Sequence, residues 1–268
     1  MQTVFITGAS SGLGAALARH YAAQGAMLGL VARRAPLLAQ LRASLPDPQR
    51  HRIYALDVTD HAALALAAQD FIAASGGVDI VIANAGVSQG TLTEFAEDIP
   101  VFERIVATNL TATVATFAPF IAGMQAQSGR RACRLVGIAS VAGIRGLPGA
   151  EAYSASKAAV ISYCESLRLE LKQSGIRVVT IAPGYIDTPM TRINSYQMPF
   201  LMPADQFARS AAAAIAGGAS YRVIPWQMGV VAKLLRLLPN PLYDLLFSNA
   251  PRKARQPQAK PVRNKHAD

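Results

Sequence analysis

The sequence predicts an α/β fold, a doubly wound parallel sheet in a single domain, and three observations lead to this prediction. Short apolar runs alternate with alanine-rich helical stretches along the chain. Most of the runs have a continuous apolar centre rather than an alternating pattern, which is typical of parallel strands that helices cover on both faces. A glycine-rich turn, TGASSGLG at 7–14, follows the first run, at the place where sheets of this kind bind nucleotides.

Each run of the pattern predicts one element. The strands are predicted in TVFITG, AMLGLVARR, RIYALDVT, VDIVIANAG, CRLVGIASVAG, IRVVTIAPGYI and SYRVIP. The helices are predicted in SGLGAALARHYAAQG, APLLAQLRASL, HAALALAAQDFIAASG, FERIVATNLTATVATFAPFIAGMQAQ, AYSASKAAVISYCESLRLELKQSG and ADQFARSAAAAIAGG. No internal repeat or interdomain linker interrupts them, so we expect one domain over 1–226, with a loop at 190–204. A hydrophobic helical extension, 227–250, and a basic, flexible tail, 251–268, follow.

Composition and charge limit the classes of protein to be considered. The 268 residues are 51% hydrophobic and 16% charged, which suffices for a sizeable core and excludes a disordered chain. The net charge of +10 is uneven, because residues 252–268 hold six basic residues and one acid, a net +5. The two cysteines and four histidines show no metal-ligand spacing, so we expect no metal site. No signal peptide precedes the first strand and no apolar stretch is long enough to span a bilayer, so we expect a cytoplasmic protein.

Three glycines, Gly8, Gly12 and Gly14, define the turn between the first strand and the first helix. Glycine lets the backbone approach a phosphate closely, and the helix N-terminus attracts its negative charge. Because glycine also marks ordinary turns, the prediction depends on the position of this turn. Ser10 and Ser11 add hydroxyl groups that can bind the phosphates.

A phenol and an ammonium, Tyr153 and Lys157, lie four residues apart in AYSASKAA. Residues four apart share one face of a helix, and such pairs are common on helix surfaces. The alternative is a tuned acid, because a nearby cation lowers the pKa of a tyrosine from its ordinary value of about 10. The motifs elsewhere in the chain favour the second interpretation.

Six motifs occur together in a fixed order. They are TGASSGLG, NAG at 84–86, Asn109, Ser140, the Tyr153-x-x-x-Lys157 pair and PGYIDT at 183–188. In this combination residues 3–225 resemble the short-chain dehydrogenase/reductase family. The resemblance implies a Rossmann-type single domain, a nicotinamide cofactor and carbonyl/alcohol chemistry.

The resemblance also implies the roles of four catalytic residues. Tyr153 is the general acid in reduction and the base in the reverse direction. Lys157 lowers the pKa of that phenol and holds the nicotinamide ribose. Ser140 hydrogen-bonds the substrate oxygen where charge develops. Asn109 kinks its helix and anchors a water in a proton relay to Lys157.

The cofactor is expected to be NADP(H). The second strand ends in Arg33 and Arg34, and no acid lies between Gly25 and Leu45. An acid there suits the ribose hydroxyls of NAD, whereas arginine suits the 2′-phosphate of NADP, although two solvated arginines would look the same. The whole cofactor-binding set comprises Gly8, Ser10, Ser11, Gly12, Leu13, Gly14, Arg33, Arg34, Asp57, Val58, Asn84, Ala85, Gly86, Tyr153, Lys157, Pro183, Gly184, Ile186 and Thr188.

The loop at 190–204 and the C-terminus each leave two interpretations open. The loop is rich in Met, Phe and Pro, which suits either a cover over an apolar substrate or packing on the core. The extension at 227–250 is either an added core or subunit contact, or a membrane-surface anchor that the basic tail reinforces. We expect a homodimer or homotetramer that acts on a small carbonyl or alcohol, with no nucleic acid as partner.

The sequence therefore predicts an NADP(H)-dependent oxidoreductase that reduces a carbonyl, or oxidises the matching alcohol, of an apolar substrate. Tyrosine serves as general acid/base beside the hydride transfer. A membrane-associated ketoacyl or keto-lipid reductase is an alternative with the same chemistry. A non-catalytic NADP-binding regulator is the alternative from another class, and the intact Asn, Ser, Tyr and Lys set argues against it.

Overall fold

The computed structural model describes residues 1–127, 129–194, 196–248, 250, 252–253 and 255. Its strands are β1 (Thr3–Thr7), β2 (Met27–Ala32), β3 (Arg52–Ala55), β4 (Ile80–Ala83), β5 (Arg134–Ile138), β6 (Arg177–Pro183), β7 (Ile186–Asp187), β8 (Met202–Pro203) and β9 (Tyr221–Ile224). Its helices are α1 (Gly12–Ala23), α2 (Ala35–Ser44), α3 (His61–Ser75), α4 (Ile99–Val106), α5 (Ala112–Ala126), α6 (Glu151–Glu170), α7 (Ala204–Ala216), α8 (Trp226–Leu237) and α9 (Asn240–Phe247).

Seven strands form one parallel sheet in the order β3-β2-β1-β4-β5-β6-β9, and β7 pairs separately with β8. The chain steps outward from β1 to β3 and then returns past β1 to β4, so the crossover helices cover both faces. A crevice opens beyond the carboxyl ends of β1 and β4, where the strand order reverses. The doubly wound, Rossmann-type sheet in a single domain that the sequence predicts is confirmed.

The alternation of side chains along the strands divides the core into two layers. In β1, Val4 and Ile6 belong to one layer and Phe5 to the other. The Phe5 ring lies 5.6 Å from the ring of Phe71 and 4.9 Å from that of Phe120, measured between centroids. Because helices cover both faces, the interiors of the central strands are mostly apolar on both sides, which is the pattern that predicted them.

The helical stretch between β4 and β5, predicted as one helix with a kink at Asn109, is divided into two helices at that residue. A π-helical turn, Ala107–Thr111, separates α4 from α5 and contains Asn109. The run Ala96–Ala126 is long and apolar enough, by length and composition, to cross a membrane, which differs from our expectation. Here it packs against α3, α6 and β4, as a core helix of a globular domain does.

Two helices, α8 and α9, follow the last strand and pack over the loop after β5. Arg145 in that loop donates hydrogen bonds to the carbonyls of Leu235 and Leu238, and its guanidinium lies 3.8 Å from the ring centroid of Tyr243. The Tyr243 hydroxyl donates to the Gly146 carbonyl at 2.6 Å. One face of the extension is therefore part of the folded domain.

The other face of α8 and α9 is apolar and exposed. It carries Trp226, Val230, Leu234, Leu237, Leu242, Leu245 and Leu246. Lys233 and Arg236 flank these side chains on α8. One of the two interpretations, the contact with the core, is thus confirmed for one face of the extension. The other face has no cover within the described chain, and the membrane-surface anchor stays a prediction.

The basic tail predicted at 251–268 is described only at Arg252, Lys253 and Arg255, which we call the strap; its other residues lie outside the described residues. The Lys253 ammonium donates to the Ser88 hydroxyl at 2.7 Å. Arg255 forms an ion pair with Asp98 at 2.7 Å. The strap therefore differs from the solvated, flexible end that we expected, because it meets complementary groups on the domain.

Candidate active site

A cavity of about 540 Å³ lies at the carboxyl ends of β1, β2, β4, β5 and β6. It brings together all the predicted site residues except Gly14 and Asn109, which lie behind its wall. The predicted residues that line it are Gly8, Ser10, Ser11, Gly12, Leu13, Arg33, Arg34, Asp57, Val58, Asn84, Ala85, Gly86, Ser140, Tyr153, Lys157, Pro183, Gly184, Ile186 and Thr188. Segments far apart in the chain thus contribute to one site.

The glycine turn is built for close backbone contacts. Gly8 and Gly12 have φ angles of +68° and +55°, a region that favours glycine. A Cβ on Gly14 would lie 2.3 Å from the Gly8 carbonyl oxygen, so α1 can approach the turn only with glycine there. The N-terminus of α1 therefore borders the cavity without side chains in the way, which fits the phosphates of a dinucleotide.

Asn84 and Thr7 fix the turn to the end of β4. The Asn84 amide donates to the carbonyls of Thr7 at 2.9 Å and of Gly8 at 3.3 Å. The Thr7 hydroxyl accepts hydrogen bonds from the backbone N–H groups of Asn84 and Ala85, each at 3.1 Å. Sequence reasoning missed Thr7, although a threonine directly before the first glycine was a visible signal.

The two arginines after β2 differ in their surroundings. Arg34 donates from one nitrogen to the hydroxyls of Ser10 at 3.0 Å and Ser11 at 2.7 Å. Arg33 lies 3.5 Å from the Asp57 carboxylate, whose pKa is lowered by hydrogen bonds from Thr59 and by Arg33, against the opposing effect of burial. Arg34 with two serine hydroxyls is thus the stronger anion site, and it fits a phosphate of the cofactor.

Tyr153 and Ser140 meet at the opposite end of the cavity. Ser140 follows β5, and its hydroxyl accepts a hydrogen bond from the Ala142 N–H at 3.1 Å. It lies close enough to the phenol of Tyr153 to lower the pKa of that phenol, against the larger effect of burial. Both side chains line the cavity, so together they can present a proton and a hydrogen bond to one substrate oxygen.

Burial dominates the ionisation of Tyr153 and Lys157. It raises the pKa of the Tyr153 phenol, and Ser140 acts in the opposite direction. It lowers the pKa of Lys157 to about 8. The Lys157 ammonium lies 5.9 Å from the centroid of the Tyr153 ring and donates to the Ile138 carbonyl at 2.7 Å. Lys157 is not among the groups that shift the pKa of this phenol, so the lowering that we expected from the lysine is not found. Because burial raises the pKa, the phenol stays protonated, as a general acid requires.

Asn109 is fully buried and ties the loop after β4 to α6. Its amide oxygen accepts from the Val87 N–H at 2.8 Å, and its nitrogen donates to the Val87 carbonyl and to the Ser156 hydroxyl, each at 3.0 Å. Ser156, which sequence reasoning missed, donates in turn to the Tyr153 carbonyl at 2.8 Å. Asn109 therefore holds α6, which carries Tyr153 and Lys157, against the loop after β4. Its water relay to Lys157 stays a prediction.

Comparison with known proteins agrees with this geometry. The short chain dehydrogenase family model matches residues 2–198. An uncharacterized oxidoreductase of Myxococcus xanthus is 38% identical over 91% of this chain and 95% of its own length. An Arabidopsis thaliana protein named 11-beta-hydroxysteroid dehydrogenase 1A is 33% identical over 71% of this chain and 54% of its own.

A solved structure agrees as well. It is the 3-ketoacyl-(acyl-carrier-protein) reductase of Brucella melitensis, complexed with NADH. The two structures superpose with a TM-score of 0.77 at 25% sequence identity, and the match covers 83% of this chain and 96% of the reductase chain. Family model, relatives and fold lead to one conclusion: the chain belongs to the short-chain dehydrogenase/reductase family of oxidoreductases.

Proposed function

We propose that this oxidoreductase uses NADP(H) to reduce the carbonyl group of a small, largely apolar compound, or to oxidise the matching alcohol. The observation that carries the proposal is the position of Tyr153. Its phenol, whose pKa burial raises, lines with Ser140 the same cavity that the glycine turn and Arg34 border. One cavity therefore offers an anion site at one end and an acid at the other.

In the reductive direction Tyr153 donates its proton to the carbonyl oxygen while Ser140 hydrogen-bonds that oxygen. A bound nicotinamide cofactor would supply the hydride. Lys157 is held by the Ile138 carbonyl at the cavity wall, where a buried cation can bind ribose hydroxyls. Asn109 acts as a positioning residue, because its amide connects Val87 to α6.

The preference for NADP(H) is supported by Arg34 and its two serine partners. A guanidinium binds phosphate through several hydrogen bonds at once, and the 2′-phosphate distinguishes NADP from NAD. Arg33 contributes less, because the Asp57 carboxylate lies beside it. The ketoacyl reductase of Brucella was solved with NADH, so a direct comparison of the two cofactors is the necessary test.

An apolar substrate is supported by the segment after β7. Met190 and Ile193 line the cavity and are exposed in this structure, so a ligand can cover them. The hydroxysteroid dehydrogenase among the relatives is named for an apolar alcohol. The loop at 190–204 is accordingly proposed as the cover of the substrate site.

A cytoplasmic, membrane-associated ketoacyl or keto-lipid reductase is the second candidate. The exposed leucines of α8 and α9, with basic residues beside them, favour it, because apolar burial and attraction to anionic lipid act together. Replacing Leu234 and Leu245 with glutamate is expected to abolish flotation with anionic liposomes. Wild-type protein that does not float refutes this placement. The homodimer or homotetramer also stays a proposal, and sedimentation of the purified protein tests it.

The experiment that tests the proposed function is a screen for cofactor oxidation. Ketones, aldehydes and ketoacyl thioesters are offered to the purified protein with NADPH and, in parallel, with NADH. Turnover with NADPH exceeding that with NADH is the expected result. Tight NADPH binding without turnover of any compound would instead identify a non-catalytic NADP-binding regulator.

A further inference from the structure

The strap brings a cation to the substrate end of the cavity. The ammonium of Lys253 lies 6.0 Å from the centroid of the Tyr153 ring and donates to Ser88, which lines the cavity. The side chain is partly buried, and burial lowers its pKa. This cation belongs to residue 253, whereas the groups that it faces are Tyr153 of α6 and Ser88 of the loop after β4.

Three anchors hold the strap in place. The Arg255 guanidinium binds both carboxylate oxygens of the buried Asp98, at 2.7 and 3.1 Å, and lies 3.6 Å from the ring centroid of Phe95. At the other end Arg252 passes close to Gly149, where an added Cβ would lie 2.8 Å from the Arg252 Cβ. These contacts place Lys253 beside the cavity, and its hydrogen bond to Ser88 holds the ammonium there.

The charge of Lys253 is not neutralised by the described protein. Arg255 forms ion pairs with the carboxylates of Glu97 and Asp98, and Arg33 forms one with the carboxylate of Asp57. Lys253 forms no ion pair with any carboxylate among the residues that the structure describes, and a neutral hydroxyl is its hydrogen-bond partner. A partly buried ammonium of this kind is stabilised when an anion binds beside it.

We propose that Lys253 is a specificity-determining residue that binds an anionic group of the substrate close to the reacting carbonyl. The inference rests on the proposed function, because it takes Tyr153 as the group that protonates the carbonyl oxygen. On this inference the substrate is an oxo acid. Its carboxylate contacts Lys253 and Ser88, and its carbonyl oxygen contacts Tyr153 and Ser140. The apolar remainder of the molecule extends toward Met190. Arg255 is a positioning residue that acts through the strap.

The test compares acids with their neutral esters. Pyruvate, acetoacetate and levulinate, each paired with its methyl ester, are reduced by wild-type protein and by Lys253→Met, Lys253→Arg and Lys233→Met. Lys233 lies exposed on α8 and serves as the matched control for loss of one lysine charge. The measured quantity is the ratio of kcat/KM for acid to that for ester, which cancels a general loss of active protein.

We expect the acid-to-ester ratio of the best pair to fall about tenfold or more in Lys253→Met, the size of one charge-assisted hydrogen bond. Lys253→Arg is expected to retain part of the preference and Lys233→Met all of it. An unchanged ratio in Lys253→Met overturns the inference, as does an equal loss for acid and ester, which indicates a structural role. In both cases turnover of the esters still supports the proposed reductase. A wild-type protein that reduces neither member of any pair, nor any compound of the wider screen, refutes the proposed function and this inference with it.

Discussion

Replacing Arg34 with alanine is expected to weaken the binding of NADPH by about tenfold and to leave the binding of NADH nearly unchanged. Arg34 binds the Ser10 and Ser11 hydroxyls and forms no ion pair with a carboxylate in the described part of the chain, so its charge is available to the 2′-phosphate. A hydrogen bond to a charged group contributes about 1.5–3 kcal/mol, and each 1.4 kcal/mol or so is a tenfold change in affinity. Because Arg34 is exposed to solvent, we take the lower end of that range.

Fluorescence titration of each cofactor measures this effect. Arg33→Ala is expected to weaken NADPH binding less than Arg34→Ala does, since the Asp57 carboxylate partly neutralises Arg33. Arg177→Ala serves as control, because that exposed arginine begins β6 at the opposite end of the sheet. Equal losses for NADPH and NADH in Arg34→Ala would refute the assignment of the phosphate site.

Three further predictions concern the remaining parts of the site. Tyr153→Phe is expected to lower turnover at least ~100-fold while NADPH still binds, and near-normal turnover of the purified variant would contradict the role of the phenol as acid. Since burial lowers the pKa of Lys157 to about 8 from an ordinary value of 10.5, the unfolded chain binds more protons between these values, and stability rises with pH there. The difference in free energy of unfolding between the wild-type protein and Lys157→Met, measured by denaturation, should therefore increase between about pH 8 and pH 10.5. A difference that stays constant over this range contradicts the prediction. Amide hydrogen exchange at 190–194 and 196–203 is expected to slow when NADPH and substrate bind, and exchange that is equally slow without them is incompatible with a substrate cover.

The features that were predictable from sequence are those that depend on local pattern. The strands and helices follow from apolar runs, and Gly8, Gly12 and Gly14 follow from the demand for close backbone contact. Tyr153 and Lys157 face one cavity because residues four apart share a helix face. The irregularity at Asn109 followed only from the family resemblance, because TNLTATVATF by itself has the pattern of a regular helix and the contacts of Asn109 with Val87 and Ser156 join distant segments.

The strap was not predictable because its contacts join distant parts of the chain. Lys253 meets Ser88 and Arg255 meets Asp98 across more than half of the sequence. In a sequence, basic residues after a proline at the end of a chain resemble any solvated tail. Only the fold shows that α8 and α9 turn the chain back toward the active site. The same long-range packing distinguishes Arg34 from Arg33, which look equivalent in VARR.

The strap lies outside the stretch that defines the family. The family model ends at residue 198, and Lys253, which binds the cavity-lining Ser88, lies well beyond that residue. On our proposal, the oxidoreductase chemistry is encoded in one part of the gene and the choice of acid over ester in another. Exchange of the last few dozen codons between relatives can redirect such an enzyme to a new compound while its catalytic residues stay untouched, so C-terminal chimeras offer a direct route to altered specificity.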